Sequence, residues 1–195
     1  MNLSPQGTGV LRFDFQHASV AHSSGIVLNV GCNEDPAGLR ERWGTKVINC
    51  DLEAWDSTMD RPNPIDMQFD ATQFPWPFGD DYADVVILGD ILEHFPFDVM
   101  VAVLNEARRV GRHVCITVPT DTRVDEKEMG EKYTPGSYNL HTIIVTEDVL
   151  RSALDASQWK PYIFFECGWG FNDDKGVEIQ GFCVMAHRAG DPVSS

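Results

Sequence analysis

A chain of 195 residues and 21.8 kDa has the length of one ordinary domain, and its 43% hydrophobic content is enough for one sizeable core. Its 30 acidic residues against 15 basic ones leave a formal charge of -15, which weighs against a nucleic acid partner, since phosphate neutralisation by Lys and Arg dominates that affinity. The same charge weighs against an anionic membrane surface, and no apolar run approaches the roughly 18 residues of a membrane span.

Residues 1–25 carry scattered apolar positions (Leu11, Phe13, Phe15, Val20) and end in the loop signal Ser23-Ser24-Gly25. They read as an N-terminal cover segment over one edge or mouth of a single domain that spans 26–190. The branched apolar run from Ile26 to Val30 suits a central parallel strand covered on both faces, and it enters a turn punctuated by Gly31 and Asn33. Ala37 to Trp43 has helical spacing, with Gly44 as its C-cap. A second strand, Lys46 to Cys50, ends in Asp51; after it, Pro62 and Pro64 forbid a long helix between Leu52 and Pro64. A short third strand, Asp66 to Phe69, ends at Asp70, and the proline and aromatic connector from Phe74 to Asp81 leads to a fourth strand, Ala83 to Leu88.

Asp98 to Val110 reads as a helix with Asp98 as N-cap and Arg108 and Arg109 at the end that favours positive charge. His113 to Val118 is a fifth strand, stopped by Pro119. The polar stretch Thr120 to Leu140 has the length of a lid or binding loop. Thr146, followed by Glu147 and Asp148, caps a helix running to about Ser157. Lys160 to Cys167 and Val177 to His187 follow each other directly as strands, which implies an antiparallel hairpin. This order predicts an α/β fold, a doubly wound, mostly parallel seven-stranded sheet with an antiparallel C-terminal hairpin.

The five cysteines, Cys32, Cys50, Cys115, Cys167 and Cys183, are odd in number, and no pair has CxxC spacing. Buried free thiols in a reducing cytoplasm fit best, and the start of the chain shows no basic region followed by an apolar core. No metal is expected: no Cys/His cluster has zinc spacing, and Asp90, Asp121 and Asp125 are isolated acids.

Polar residues fall at the carboxyl ends of consecutive predicted strands: Asn29 and Gly31, then Asp51, then Asp70. In a doubly wound sheet these ends converge on one crevice, which points to a nucleotide-like cofactor. A Gly-Cys-Asn turn lets backbone approach a ligand closely, because Gly and Asn accept positive φ. Asp51, 20 residues after Gly31, is spaced to accept hydrogen bonds from a ribose diol. It reads equally as a strand-end residue that caps the next turn.

These stretches resemble the class I S-adenosylmethionine-dependent methyltransferases, in particular type 11-like members, over nearly the whole chain. Val27 to Pro36 is similar to the first motif of that family, Ile48 to Glu53 to its second, and Asp70-Ala71-Thr72 with Phe74 and Phe78 to the adenine bracket. The most specific match is Tyr82 to Phe95, with its Leu92-Glu93-His94 ending. The resemblance implies a Rossmann-like sheet, S-adenosylmethionine as cofactor, and methyl transfer to an oxygen or nitrogen of a small-molecule or sugar-like acceptor. It implies a cofactor site built from Asn29, Gly31, Cys32, Asn33, Asp51, Leu52, Asp70, Ala71, Gly89 and Asp90. Gly31 and Asn33 would line the methionine and ribose part, Asp51 would hold the ribose hydroxyls, and Asp70 and the Ala71 backbone the adenine. Asp90 and His94 would face the methionine end and the acceptor.

His94 is the first candidate for a base, since an imidazole titrates near neutral pH, and His141, just after the long loop, is the second. Glu93 is a further acid, read equally as a salt-bridge partner of Arg108 or Arg109. Gly89-Asp90-Ile91-Leu92 stands where nucleic-acid amino methyltransferases carry an Asn/Asp-Pro-Pro-aromatic tetrad, and no Pro-Cys nucleophile occurs. Two positions depart from the family pattern, Asn29 for its usual acid and Asn33 for its second glycine. They motivate an alternative expectation, a catalytically silent S-adenosylmethionine-binding or scaffold protein of the same fold.

Overall fold

A computed structural model describes residues 9–32, 35–52, 65–120, 141–172 and 177–190. Asn33, the irregular stretch at 53–64 and most of the long loop, 121–140, lie outside the described residues. The strands are β1 (Val27–Val30), β2 (Val47–Asp51), β3 (Met67–Gln68), β4 (Ala83–Gly89), β5 (Gly111–Pro119), β6 (Trp159–Asn172) and β7 (Val177–Arg188). They form one sheet in the order β3-β2-β1-β4-β5-β7-β6. β1 to β5 pair in parallel, and β7 runs antiparallel to both β5 and β6. The seven-stranded, mostly parallel sheet with an antiparallel hairpin expected from the sequence is therefore the observed one.

The helices are α1 (Gly9–His22), α2 (Leu39–Trp43), α3 (Phe97–Val110) and α4 (Glu147–Ala156). Strand side chains alternate between two faces, and both faces are covered. Val27, Val47, Val85 and Ile87 pack with Val20 of α1 and Leu39 of α2. Their neighbours Leu28, Val30, Val86 and Leu88 pack with Met100 and Leu104 of α3 and Leu150 and Leu154 of α4. Adjacent residues serving opposite cores is what makes these strands read as continuous apolar runs. No described helix is long and apolar enough to cross a membrane.

Three local readings are corrected. The N-terminal cover segment contains a 14-residue helix, α1, whose buried positions include Gln16 and Ser19. Gln16 Nε2 donates to Thr117 Oγ1 at 2.8 Å and Ser19 Oγ to the Gln16 carbonyl at 2.7 Å, so polar residues face the sheet and the helical period is masked. Helix α3 begins at Phe97 with Pro96 as N-cap and no side-chain cap, leaving Asp98 in the first turn, where its charge still meets the helix dipole. Arg109 bonds Glu106 and Asp80 and donates to the Phe78 carbonyl, clamping the aromatic connector onto α3; Glu93 is not its partner. Thr146 does cap α4, its Oγ1 accepting from Val149 N at 3.3 Å.

Asp84, near the start of β4, fastens the loop that precedes β1. One oxygen, Oδ2, accepts from Ser24 N at 2.6 Å, Ser23 Oγ at 3.0 Å, Ser24 Oγ at 3.2 Å and Gly25 N at 3.3 Å. Burial pushes this carboxyl up, but the four donors outweigh it and hold the group below the ordinary carboxylate range. Asp84→Ala is expected to cost about 1.5–3 kcal/mol in urea denaturation at pH 7, as for lost hydrogen bonds to a charged group. A carboxyl lowered in the folded state stabilises above its unfolded value near pH 4, so the gap between wild type and variant should close as the pH falls below that.

Candidate functional site

The strand order reverses between β1 and β4: the chain moves outward through β2 and β3, then returns to the other side of β1. In open α/β sheets ligands bind at such a switch point, outside the carboxyl ends of the strands. A small cleft of about 90 Å³, open to solvent, lies there. It is lined by Asn29, Gly31 and Cys32 after β1 and by Gly89 and Asp90 after β4, five of the residues expected from the sequence.

The turn after β1 requires glycine on two counts. Gly31 has φ 71°, and a Cβ there would stand 2.4 Å from Ile91 Cδ1. Gly31 N and Cys32 N both donate to the Cys50 carbonyl, at 2.9 and 3.1 Å, which ties this turn to β2. Gly89 is similarly tight: a Cβ would meet Gln16 Nε2 at 2.5 Å. Backbone thus lines the crevice where side chains would fill it, the feature a close-lying nucleotide-like ligand needs. Burial, helped by the negative charges of Asp51 and Asp35, raises the Cys32 thiol, so it lines the cavity as a neutral group and not as a nucleophile.

Asn29 is 6% exposed, and its Nδ2 donates to Asn49 Oδ1 at 3.0 Å; Asn49 Nδ2 in turn donates to Asp35 Oδ2 at 3.2 Å. The Asp35 carboxylate also accepts from Leu39 N at 3.0 Å and Arg40 N at 2.8 Å, at the start of α2. Asn49 and Asp35 were not expected from the sequence, where they read as an ordinary strand residue and a turn residue.

Asp51, Leu52, Asp70 and Ala71 do not line the cavity; they lie beyond it, at the ends of β2 and β3 on the same side of the sheet. Asp51 Oδ1 accepts from Leu52 N at 2.7 Å. Asp70 Oδ1 accepts from Thr72 N at 2.8 Å and Thr72 Oγ1 at 2.7 Å, an Asx turn. The Ala71 carbonyl accepts from Trp76 Nε1 at 2.9 Å, which anchors the connector beneath it.

The wall after β4 is built from segments far apart in the chain. Asp90 has φ 54°, its N–H donates to the Thr117 carbonyl at 2.8 Å, and its Oδ2 meets Arg12 Nη1 at 2.8 Å. Phe13 and Gln16 of α1 complete the cavity wall, together with Asp35, Pro36 and Ala37. Arg12, Phe13 and Gln16 carried no recognisable signal, because only the fold of α1 brings them here. Leu92, Glu93 and His94 form a single 3-10 turn, with Glu93 2% exposed. His94 and His141 stack edge to face, ring centroids 5.0 Å apart, and His94 Nε2 lies 3.9 Å from Glu93 Oε1. The two expected histidines are thus brought together across 47 residues. Burial raises the Glu93 carboxyl well above its ordinary value, and the Asp90 charge pushes the same way.

No protein-family model matches the sequence, and no curated protein matches it. Solved structures do match in fold. An S-adenosylmethionine-dependent methyltransferase from Methanosarcina mazei aligns over 98% of this chain and 100% of its own, with TM-score 0.63 and 14% identity. This chain has the class I methyltransferase fold. The same fold is found in 1,6-didemethyltoxoflavin-N1-methyltransferase of Burkholderia thailandensis, solved with its substrate and S-adenosylhomocysteine, over 95% of this chain and 80% of that one (TM-score 0.62, 15% identity). The [4+2]-cyclase SpnF shares the methyltransferase fold too, over 96% of this chain and 85% of its own (TM-score 0.63, 12% identity).

Gly31→Ala is expected to lose about 2–4 kcal/mol of stability, the sum of a left-handed backbone penalty and overpacking against Ile91. Urea denaturation measures it, and in a double-mutant cycle the Gly31→Ala penalty should be smaller in an Ile91→Ala background by the overpacking share, Ile91→Ala itself being destabilising as a core truncation.

Proposed function

We propose that this protein is an S-adenosylmethionine-dependent methyltransferase acting on an oxygen or nitrogen of a small-molecule acceptor. The observation that carries the reading is the cavity at the β1/β4 switch point, walled by the side-chain-free backbone of Gly31 and Gly89. Its support from outside the chain is the shared fold of methyltransferases, one of them solved with S-adenosylhomocysteine and a small heterocyclic substrate.

In this reading Asn29, Gly31, Cys32 and Asn33 line the methionine and ribose part of the cofactor. Asp51, with Leu52 beside it, holds the ribose diol, and Asp70 and the Ala71 backbone hold the adenine edge. Gly89 and Asp90 close the methionine end. The cofactor supplies a methyl group on a sulfonium, whose leaving group departs neutral. The protein therefore has to align the acceptor, exclude water and, for an acceptor that loses a proton, accept it. His94 and His141 stand on that side as the proton-accepting groups. The acidic charge of -15 favours a small acceptor over nucleic acid.

A second reading is a silent cofactor-binding or scaffold protein of the same fold. It draws on Asn29, which is engaged by Asn49, and on Asp90, which is engaged by Arg12.

Titration calorimetry with S-adenosylmethionine and S-adenosylhomocysteine tests the shared premise, and no heat at millimolar ligand would refute both readings. Asp51→Ala should weaken binding by about 1.5–3 kcal/mol, roughly 10- to 150-fold. Formation of S-adenosylhomocysteine over a panel of hydroxyl and amine acceptors separates enzyme from silent binder.

A further inference from the structure

Glu93 is the most deeply buried acid among the described residues, and nothing in its sequence neighbourhood explains why an acid is there. Its side chain is 3% exposed, and its Oε2 has no hydrogen-bond partner among the described residues. A buried carboxylate in that condition costs several kcal/mol unless a proton or a cation compensates it. Among the described residues the cation that acts on Glu93 is Arg12, which also meets Asp90 through Nη1 at 2.8 Å. What does face Glu93 is a pair of imidazoles. One ligand-capable atom each from Glu93, His94 and His141 lies within 4.8 Å of the other two.

The backbone holds this arrangement in place. Thr142 N and Ile143 N donate to the Glu93 carbonyl at 2.9 and 3.4 Å, so the segment carrying His141 is pinned to the turn carrying Glu93 and His94. His141 is thus fixed against this turn by its own neighbours, not left to the loop before it. Metal bonds of about 2.0–2.2 Å to imidazole and carboxylate put ligand atoms roughly 3–3.6 Å apart. Closing from 4.8 Å to that spacing takes only small side-chain rotations, and both imidazoles remain partly exposed, which leaves open positions for an outside ligand.

The geometry points to a divalent transition-metal site formed by Glu93, His94 and His141, of the two-imidazole, one-carboxylate type that suits Zn²⁺, Mn²⁺, Fe²⁺ or Co²⁺. This revises the expectation from sequence that no metal is bound. The zinc-spacing and acid-cluster patterns could not show a site whose ligands are split between residues 93–94 and residue 141. Taken together with the methyl-transfer reading, on which this clause alone rests, the site selects acceptors with an oxygen able to ligate the cation. With the cation bound, His94 and His141 serve as its ligands, and their proton-accepting role belongs to the metal-free protein.

The test uses the full chain, freed of metal with a chelator and desalted, then titrated with Co²⁺ and followed by visible absorption. Wild type should bind about one equivalent and develop ligand-field bands typical of nitrogen and oxygen donors. His94→Ala, His141→Ala and Glu93→Gln should each weaken binding at least about tenfold, while His22→Ala, on the exposed end of α1, should bind as wild type does. Thermal melts of the metal-free variants establish that each is folded, and the isosteric Glu93→Gln keeps the question answerable should an alanine variant unfold. No bands at millimolar Co²⁺ would overturn the site. So would binding unchanged in both His94→Ala and Glu93→Gln, or an intense sulfur-to-cobalt band, which would assign the ion to cysteine. S-adenosylhomocysteine titrated in the presence of chelator reads the cofactor site separately, so failure of one proposal does not touch the other.

Discussion

The turn that leaves β4 is the constraint on which the rest of this end of the molecule depends. Within three residues the chain must stop pairing, reverse and re-enter the core, and it does so by placing Asp90 in the left-handed region at φ 54°, anchored by its N–H to the Thr117 carbonyl. That reversal drives Ile91 against the turn after β1, so closely that only glycine fits at position 31. It also leaves no room beyond hydrogen at Gly89, where Gln16 of α1 arrives to bond Thr117. One residue further on, it sinks Leu92 and Glu93 into the interior. Cavity wall, N-terminal helix and buried acid are three results of one backbone reversal.

The acids around the cavity are managed one at a time. Asp35 is spent on the amide groups that open α2 and on Asn49; Asp90 on Arg12; Asp70 on its own Asx turn. A chain with twice as many acidic as basic residues therefore keeps its crevice organised by short-range hydrogen bonds, which salt screens less than long-range charge. Asn29 fits this economy. An acid at that position would stand two hydrogen bonds from Asp35 along the Asn49 bridge, and the amide replaces repulsion with a donor.

Most of the sheet was legible in the sequence because its strands are central: Val27-Leu28 and Val85-Val86-Ile87-Leu88 are apolar on both faces and bounded by Gly and Asp. The turn at Gly31 and the cap at Thr146 were legible because each depends on the chemistry of one residue. The start of α3 was misplaced by one or two residues, since Asp98 looks like a cap although Pro96 takes that place. Helix α1 was missed because the face it buries carries the polar residues Gln16 and Ser19, and Gln16 finds its partner, Thr117, only across the fold. The same distance hid the contacts made after β4. Arg12 meets Asp90, and His141 meets His94, only after the sheet has formed. Local pattern records what a residue prefers, and these pairs are products of topology.

β5 lies inside the sheet only because β7 covers it, and β7 is the last strand to be synthesised. As the chain leaves the ribosome, β1 to β5 can pair while the far side of β5 still offers the open N–H and C=O groups of Val114 to Val118. Such an edge invites pairing with another chain. With β1 to β5 in place, five of the seven strands are laid down and the outer edge of β5 is bare. The hairpin of β6 and β7 ends that stage in one step, because folding the hairpin and capping the edge are the same event. The strand pairing therefore makes the last hairpin the element that protects β5 from edge-to-edge association.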